Sequence, residues 1–435
     1  MSDADFVVED LHAPAPSPPS PRHILAVASG NALEFYDFLT YAFFSAQIGR
    51  TFFPSTHEGA SLLASLATFG AGFLMRPVGA LVLGRVADKV GRKPAMLISF
   101  MMMGLGMIVL ALTPSAHAIG IAAPIIVLLC RLTQGFALGG EVGPSTAYMI
   151  EAAPKHRRGL YVSFQYMGQD TAVLVAGLIG FALSSLMAPA DLDSWGWRAA
   201  FLIGAVIVPF GLLLRRGLPE TLHHKEDTAI APAAGIGRTV RLVAILGFVM
   251  LASGTTVSYV LNYLNVYASE TLHMPTNVGF IATIVVGLLG VILDPLGGWL
   301  SDRFGRRPVM IAPWILLALV TVPAFMLLDH LRSVMGIIIA TAAMTGLQAI
   351  ASCSTLVAVT ESMPKAVRGG GLGLIYAFAI SIFGGSTQFS VAWLTGLTHS
   401  HLAPAWYMTA GVVAGVIAML FLPETAPRFA GRAKG

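Results

Sequence analysis

A few ionisable side chains stand inside stretches that are otherwise apolar: Glu34, Asp37, Arg76, Arg131 and Asp170. A charge placed at the centre of a lipid-spanning helix costs about 2.5–3.5 kcal/mol on insertion scales, so each such residue is a functional candidate by default. Glu34 and Asp37 are three positions apart and so share one helix face. Burial favours the protonated form of a carboxyl and a neighbouring arginine opposes it. Competition for the arginine then gives a switch. When an external carboxylate takes Arg131, the acid loses its partner and takes up a proton, so proton and anion bind together. Asp37 is the favoured coupling acid, with Glu34 as its neighbour. The competing explanation is a static buried ion pair that fixes helix packing.

The elements that must carry these residues follow from composition. Of 435 residues, 56% are apolar and only 11% charged, against about 25% charged in an ordinary soluble domain. That is too little charge to cover a water-facing surface. Apolar runs of 18 or more residues point to helices spanning a bilayer rather than a barrel of short alternating strands. Twelve helices are expected, over roughly 22–50, 60–86, 94–113, 119–148, 160–187, 197–216, 239–268, 277–300, 308–328, 333–359, 370–397 and 404–422. At ~1.5 Å per residue Glu34 lies roughly 15 Å, Asp37 roughly 20 Å and Arg131 roughly 18 Å along their helices, near the middle of a hydrocarbon core about 30 Å thick.

Residues 1–21 are acidic and then Pro/Ser-rich, without the basic flank and apolar core of a signal peptide, and are expected to be a disordered cytoplasmic tail. Residues 217–238 form a polar loop between helices 6 and 7, dividing the chain into two six-helix bundles, 22–216 and 239–422, with a tail over 423–435. With the N-terminus inside, all but five of the 26 basic residues fall on cytoplasmic segments or helix ends. The five are Arg50, Arg76, Arg131, Arg198 and Arg332. This bias predicts cytoplasmic termini in a bacterial inner membrane and accounts for the net charge of +4 without nucleic acid. Cys130 and Cys353 are isolated, with no metal spacing. No GxxxxGK[ST] loop or nucleophile–base set is present, so neither enzyme nor cofactor is expected beyond coupled protons.

The sequence repeats. GRVADKVGRKP (84–94) returns as GWLSDRFGRRP (298–308), EAAPKHRRG (151–159) as ESMPKAVRG (361–369), and LPET (218–221) as LPET (422–425), each about 210 residues later and in the same order. Two pseudo-symmetric halves with a pathway between them follow from this.

The doubled loop G-x-x-x-D-[RK]-x-G-[RK]-[RK] resembles the signature of the major facilitator superfamily over the whole chain. GNALEFYDF (30–38), GFLMRPVGALVLG (72–84), RLTQGFALGGE (131–141) and IFGGSTQFS (382–390) resemble its metabolite:proton symporter family. The pattern is most similar to the citrate–proton symporters and their tricarboxylate relatives. It departs from them at Phe35–Asp37, where they tend to carry Gln-Phe-Asp, and at Asp170, an extra acid.

The resemblance implies an all-α fold of two six-helix bundles working by rocker-switch alternating access. It implies a proton-coupled importer of a small organic anion, a tricarboxylate such as citrate, acting as a monomer in lipid. Asn31, Tyr41, Gln134, Gln165, Gln169, Asp170, Tyr259, Asn262 and Gln348 could complete a carboxylate site around Arg131, with Arg76 either catching the substrate on exit or pairing with Glu141. Asp88–Arg92, Asp302–Arg306, Glu151–Arg158 and Glu361–Arg368 would form gates at the cytoplasmic face. Symport of a dicarboxylate, an aromatic acid or a betaine-type zwitterion, or proton-driven efflux, would use similar chemistry. The repeated loops leave the midplane charges unequal: Glu34, Asp37, Arg131 and Asp170 are all in the first half, with Asp294 expected nearer the inner end of helix 8. Coupling is therefore expected in the N-terminal half.

Overall fold

The computed structural model describes residues 35–57, 59–90, 92–139, 153–216, 238–363 and 368–426. The expected tail over 1–21 and almost all of the central loop lie outside them. Twelve helical segments follow one another. In the first half these are α1 (35–43, resuming as Ser45–Phe52), α2 (Ala60–Leu74 and Arg76–Val90), α3 (Arg92–Leu112), α4 (Ala122–Leu138), α5 (Arg158–Leu186) and α6 (Trp197–Arg216). In the second they are α7 (Arg238–Val266), α8 (Thr276–Phe304), α9 (Arg306–Leu331), α10 (Val334–Glu361), α11 (Arg368–Ala379 through Gly385–Thr398) and α12 (Ala403–Phe421).

In hydrocarbon each backbone N–H and C=O must find its partner within the segment, which a helix provides. Among the described residues, eight helices are long and apolar enough to cross a membrane, and Leu97–Leu112 and Ala122–Leu138 are apolar but shorter. Large apolar side chains face outward along them, among them Leu186 at 86% and Phe421 at 72% exposure, as a lipid-facing surface requires.

Local breaks in α2 and α11 fall beside candidate residues. Pro77 has no N–H to give the preceding turn, and α2 is interrupted at Met75, whose own N–H reaches Gly72 in a tighter turn at 3.3 Å. The break falls beside Arg76. In α11 a wide π-type turn runs over Ile380–Gly384, a local feature often found at functional sites.

Small residues set the packing. On α4, a Cβ at Gly135 would strike the Gly72 carbonyl, and one at Gly139 the Arg76 carbonyl, so α4 lies directly on the α2 backbone. Two helix pairs join the halves. α5 and α8 run antiparallel in close contact, Gly159 against Gly298 at one end and Gly180 against Phe280 at the other. α2 and α11 meet at Gly70 and Gly385. Because α8 repeats α2 and α11 repeats α5, these are the two pseudo-symmetric interfaces of one design.

Candidate functional site

The acids and arginines foreseen as one site fall into two places. The first is enclosed within the N-terminal half. Asp37 on α1 and Arg131 on α4 form an ion pair, Nη2 to Oδ2 at 3.0 Å, with both side chains fully buried. Gln134, one turn along α4, accepts from the same Nη2. The Arg131 guanidinium stands 4.5 Å from the Tyr41 ring centroid and 5.6 Å from that of Phe38, while the Tyr41 hydroxyl donates to the Ser65 carbonyl at 3.3 Å. The pair is under-satisfied: Asp37 Oδ1 and Arg131 Nε and Nη1 have no hydrogen-bond partner. A buried charge pair is stabilised only when its remaining polar atoms are also served, so this cluster is primed for a further ligand or proton.

The second place is a cavity of about 100 Å³ between the halves, room for several waters. Its walls carry Arg76, Gln169, Asp170, Tyr259, Asn262 and Gln348. Arg76 sits over Phe73 at 4.1 Å and Phe38 at 4.7 Å and lies beside the Tyr259 hydroxyl. Gln348 donates to Ser258 at 3.0 Å and to Ser352 at 3.1 Å; Gln169 bonds Tyr376; Asn262 leaves its Oδ1 unpartnered. Arg131, Gln134 and Tyr41 are absent from the cavity wall, and Gln165 is buried beside it. Both guanidiniums stand against the Phe38 ring, Arg76 at 4.7 Å and Arg131 at 5.6 Å from its centroid.

At the basic end the halves are tied by polar groups. Asp302 accepts from the Gly159 and Leu160 amides at the N-terminus of α5, both at 2.9 Å, where the helix dipole favours an anion. Arg306 holds Asp302 at 2.7 Å and Glu361 at 3.3 Å. Arg158 stands 3.4 Å from Glu361, across the halves; its expected partner Glu151 lies outside the described residues. Glu424, foreseen at the start of a tail, accepts from the Arg306 and Arg307 amides and so caps α9. At the opposite end Arg50 bridges Asp193 at 2.8 Å and Glu270 at 3.2 Å, again joining the halves. The expectations for Asn31, Glu34, Glu141 and Glu151, and for the side chains of Asp88, Arg92 and Arg368, lie outside the described residues.

One contact escaped the sequence. The Asp170 carboxyl on α5 lies against Gly290 of α8, one turn from Asp294, so the second half contributes its acid to the interface itself. The signal was present: Asp294 is an ionisable residue inside an apolar helix, the criterion that singled out Asp37.

The chain's likenesses fit this architecture. The profile of the Major Facilitator Superfamily matches residues 27–387 and 246–434. A citrate-proton symporter of Klebsiella pneumoniae is 36% identical over 403 residues, covering 92% of this chain and 91% of that one. An alpha-ketoglutarate permease of Escherichia coli (strain K12) is 37% identical over 409 residues, covering 92% and 93%. Among solved structures, a crystal structure of a D-xylose-proton symporter superposes with a TM-score of 0.76 at 18% identity, covering 94% of this chain and 98% of that one.

Proposed function

The chain belongs to the major facilitator superfamily, and from that premise we propose that it imports a small organic anion, a tricarboxylate such as citrate, together with protons. The observation that carries the proposal is the buried Asp37–Arg131 pair with polar atoms left unserved on both partners, one phenyl ring away from a cavity that holds a second arginine. The likeness to citrate-proton symporters supports the substrate class.

The proposed sequence of events uses the two places in turn. A substrate carboxylate enters the cavity and meets Arg76, with the amides of Gln169, Asn262 and Gln348 as further polar contacts. Displacement of Phe38 opens the way from the cavity to Arg131. As the anion draws Arg131 away, Asp37 loses its counter-charge and takes a proton. The halves then rock about the loaded site, keeping the Arg50–Glu270 bridge at one end while the Arg158–Glu361 and Asp302–α5 bridges release at the other. The empty carrier returns with the Asp37–Arg131 pair closed. Moving charge across the membrane costs about 2.3 kcal/mol per charge per 100 mV, so co-transported protons must offset the charge of an imported anion.

In this scheme the basic end is cytoplasmic, both termini face the cytoplasm, and the protein works as a monomer in the inner membrane. A dicarboxylate is the second candidate substrate, favoured by the comparable likeness to an alpha-ketoglutarate permease.

The test is uptake into proteoliposomes with an acidic exterior. Labelled citrate should accumulate and a protonophore should abolish the accumulation. Accumulation that ignores the protonophore would overturn proton coupling. Accumulation of 2-oxoglutarate but not citrate would move the assignment to the dicarboxylate.

A further inference from the structure

The α5–α8 interface holds a carboxyl pair that the proposed transport scheme does not use. A Cβ at Gly290 would occupy the space of the Asp170 carboxyl. The acid of one half is therefore seated in a notch on the helix of the other. Asp294 stands one turn further along the same face of α8. It is 1% exposed, lies beside the Asp170 carboxyl, and leaves its Oδ2 buried with no hydrogen-bond partner.

The groups that face this pair bring no counter-charge. Tyr166 comes from α5 itself, Cys353 from α10 and Tyr376 from α11. Arg76 stands on the cavity wall from α2 and is engaged with Tyr259 and two phenyl rings. Arg306, towards the basic end, is committed to Asp302 and Glu361. Among the described residues no Lys or Arg lies within ion-pair distance of Asp170 or Asp294.

Two neighbouring carboxyls in a buried interface cannot both be ionised, so one of them holds a proton that the other can share. The alternative is two like charges in a low-dielectric interface, and even one unneutralised charge there is expensive. Asp170 also lines the cavity, so water can deliver and remove the proton. Asp170 and Asp294 belong to different halves, so the pair exists only while α5 and α8 touch at this level.

We propose that Asp170 and Asp294 form a second proton-binding site, a carboxyl pair that shares one proton across the interface of the two halves and latches them in the closed state. The proton binds tightly when the halves meet and is released when the interface opens to water, so its occupancy and the conformation are linked. The latch rests on the transport reading for its purpose, and on the interface geometry alone for its existence.

The test is infrared spectroscopy on the full-length protein in nanodiscs without substrate, comparing acidic with alkaline buffer. In an Asp37→Asn background, the difference spectrum should keep the C=O stretch of a protonated carboxyl. Adding Asp294→Asn or Asp170→Asn should each remove that band, and Asp294→Glu should retain one. Asp294→Glu also guards against misfolding, because it keeps the acid. A band that survives both Asn substitutions, or is missing before they are made, overturns the proposal. So does a band that disappears when sodium chloride replaces choline chloride, which would make the pair a metal-cation site. In proteoliposomes, Asp294→Asn should lower the protons carried per substrate by one while substrate exchange continues; unchanged stoichiometry overturns the latch. The two proposals fail separately: if citrate is not transported but the band behaves as stated, the carboxyl pair stands and the substrate assignment falls.

Discussion

Two buried charge sites sit side by side in this protein and are built on opposite plans. Asp37 and Arg131 lie within one half, on helices that move together, and each supplies the other's counter-charge. Asp170 and Asp294 lie on different halves and have only each other. The first can exchange partners without any helix moving, which suits binding. The second cannot persist unless the halves stay in contact, which suits reporting conformation. The contrast extends to the two pseudo-symmetric interfaces. Where α8 offers Asp294 before Pro295 to α5, α2 offers Arg76 before Pro77 to the cavity beside α11. One interface carries an acid pair and the other an arginine caged by Phe38 and Phe73, so a symmetric scaffold presents an asymmetric charge set to its centre.

The largest effect is expected from Asp37→Asn. Uphill uptake should fall to the level seen with a protonophore, while exchange of internal for external substrate persists. Removing one partner of a buried pair also strands the other charge, at a cost of about 3–5 kcal/mol. The double substitution Asp37→Asn/Arg131→Gln should therefore recover thermal stability but not uphill uptake. Concentrative uptake by Asp37→Asn would remove this acid from coupling and leave the Asp170–Asp294 pair as the coupling site.

Lysine substitutions at the two arginines rank next. Lysine lacks the planar fork that grips a carboxylate through two bonds. Arg76 is on the cavity wall and Arg131 is not, so Arg76→Lys should weaken apparent affinity by on the order of tenfold, equivalent to about 1.4 kcal/mol. Arg131→Lys should act mainly on the maximal rate and its pH profile. The reverse split, measured as KM against maximal rate, would place first contact with substrate at Arg131.

Much of this was legible in the sequence, for identifiable reasons. Among the described residues each of the twelve apolar stretches carries helix, because lipid leaves the backbone no alternative. The meeting of Asp37 and Arg131 followed from depth: two helices of known direction must bring opposite charges to the same level. What sequence could not place were contacts between halves. The antiparallel docking of α5 on α8 brings Arg158 to Glu361 across the halves, a contact that spacing along the chain does not show. Asp294 does lie nearer the inner end of its helix than the outer, but depth along one helix names no neighbour. Its neighbour is chosen by the glycine notch on α8 and the helix that fills it, which is a tertiary fact. Arg76 lacked a firm role for the same reason: its rings come from α1 and α2, and its hydroxyl partner comes from α7.

The smallest predicted effect tests that notch. Gly290→Ala gains roughly 0.5–1 kcal/mol of helix propensity, but the added methyl must displace the Asp170 carboxyl. Overpacking of this kind costs about 1–3 kcal/mol, so the net change is a loss of about 1 kcal/mol. Gly254→Ala is the matched control, because a Cβ there meets nothing within 4 Å, and thermal stability should hold or rise. Gly290→Ala/Asp170→Ala should then be more stable than Gly290→Ala alone, since removing the acid empties the notch that the added methyl must fill. Additivity of the two substitutions in a thermal-melt cycle would mean that Asp170 does not fill the Gly290 notch, and that the two halves meet less closely at this level than the α5–α8 geometry requires.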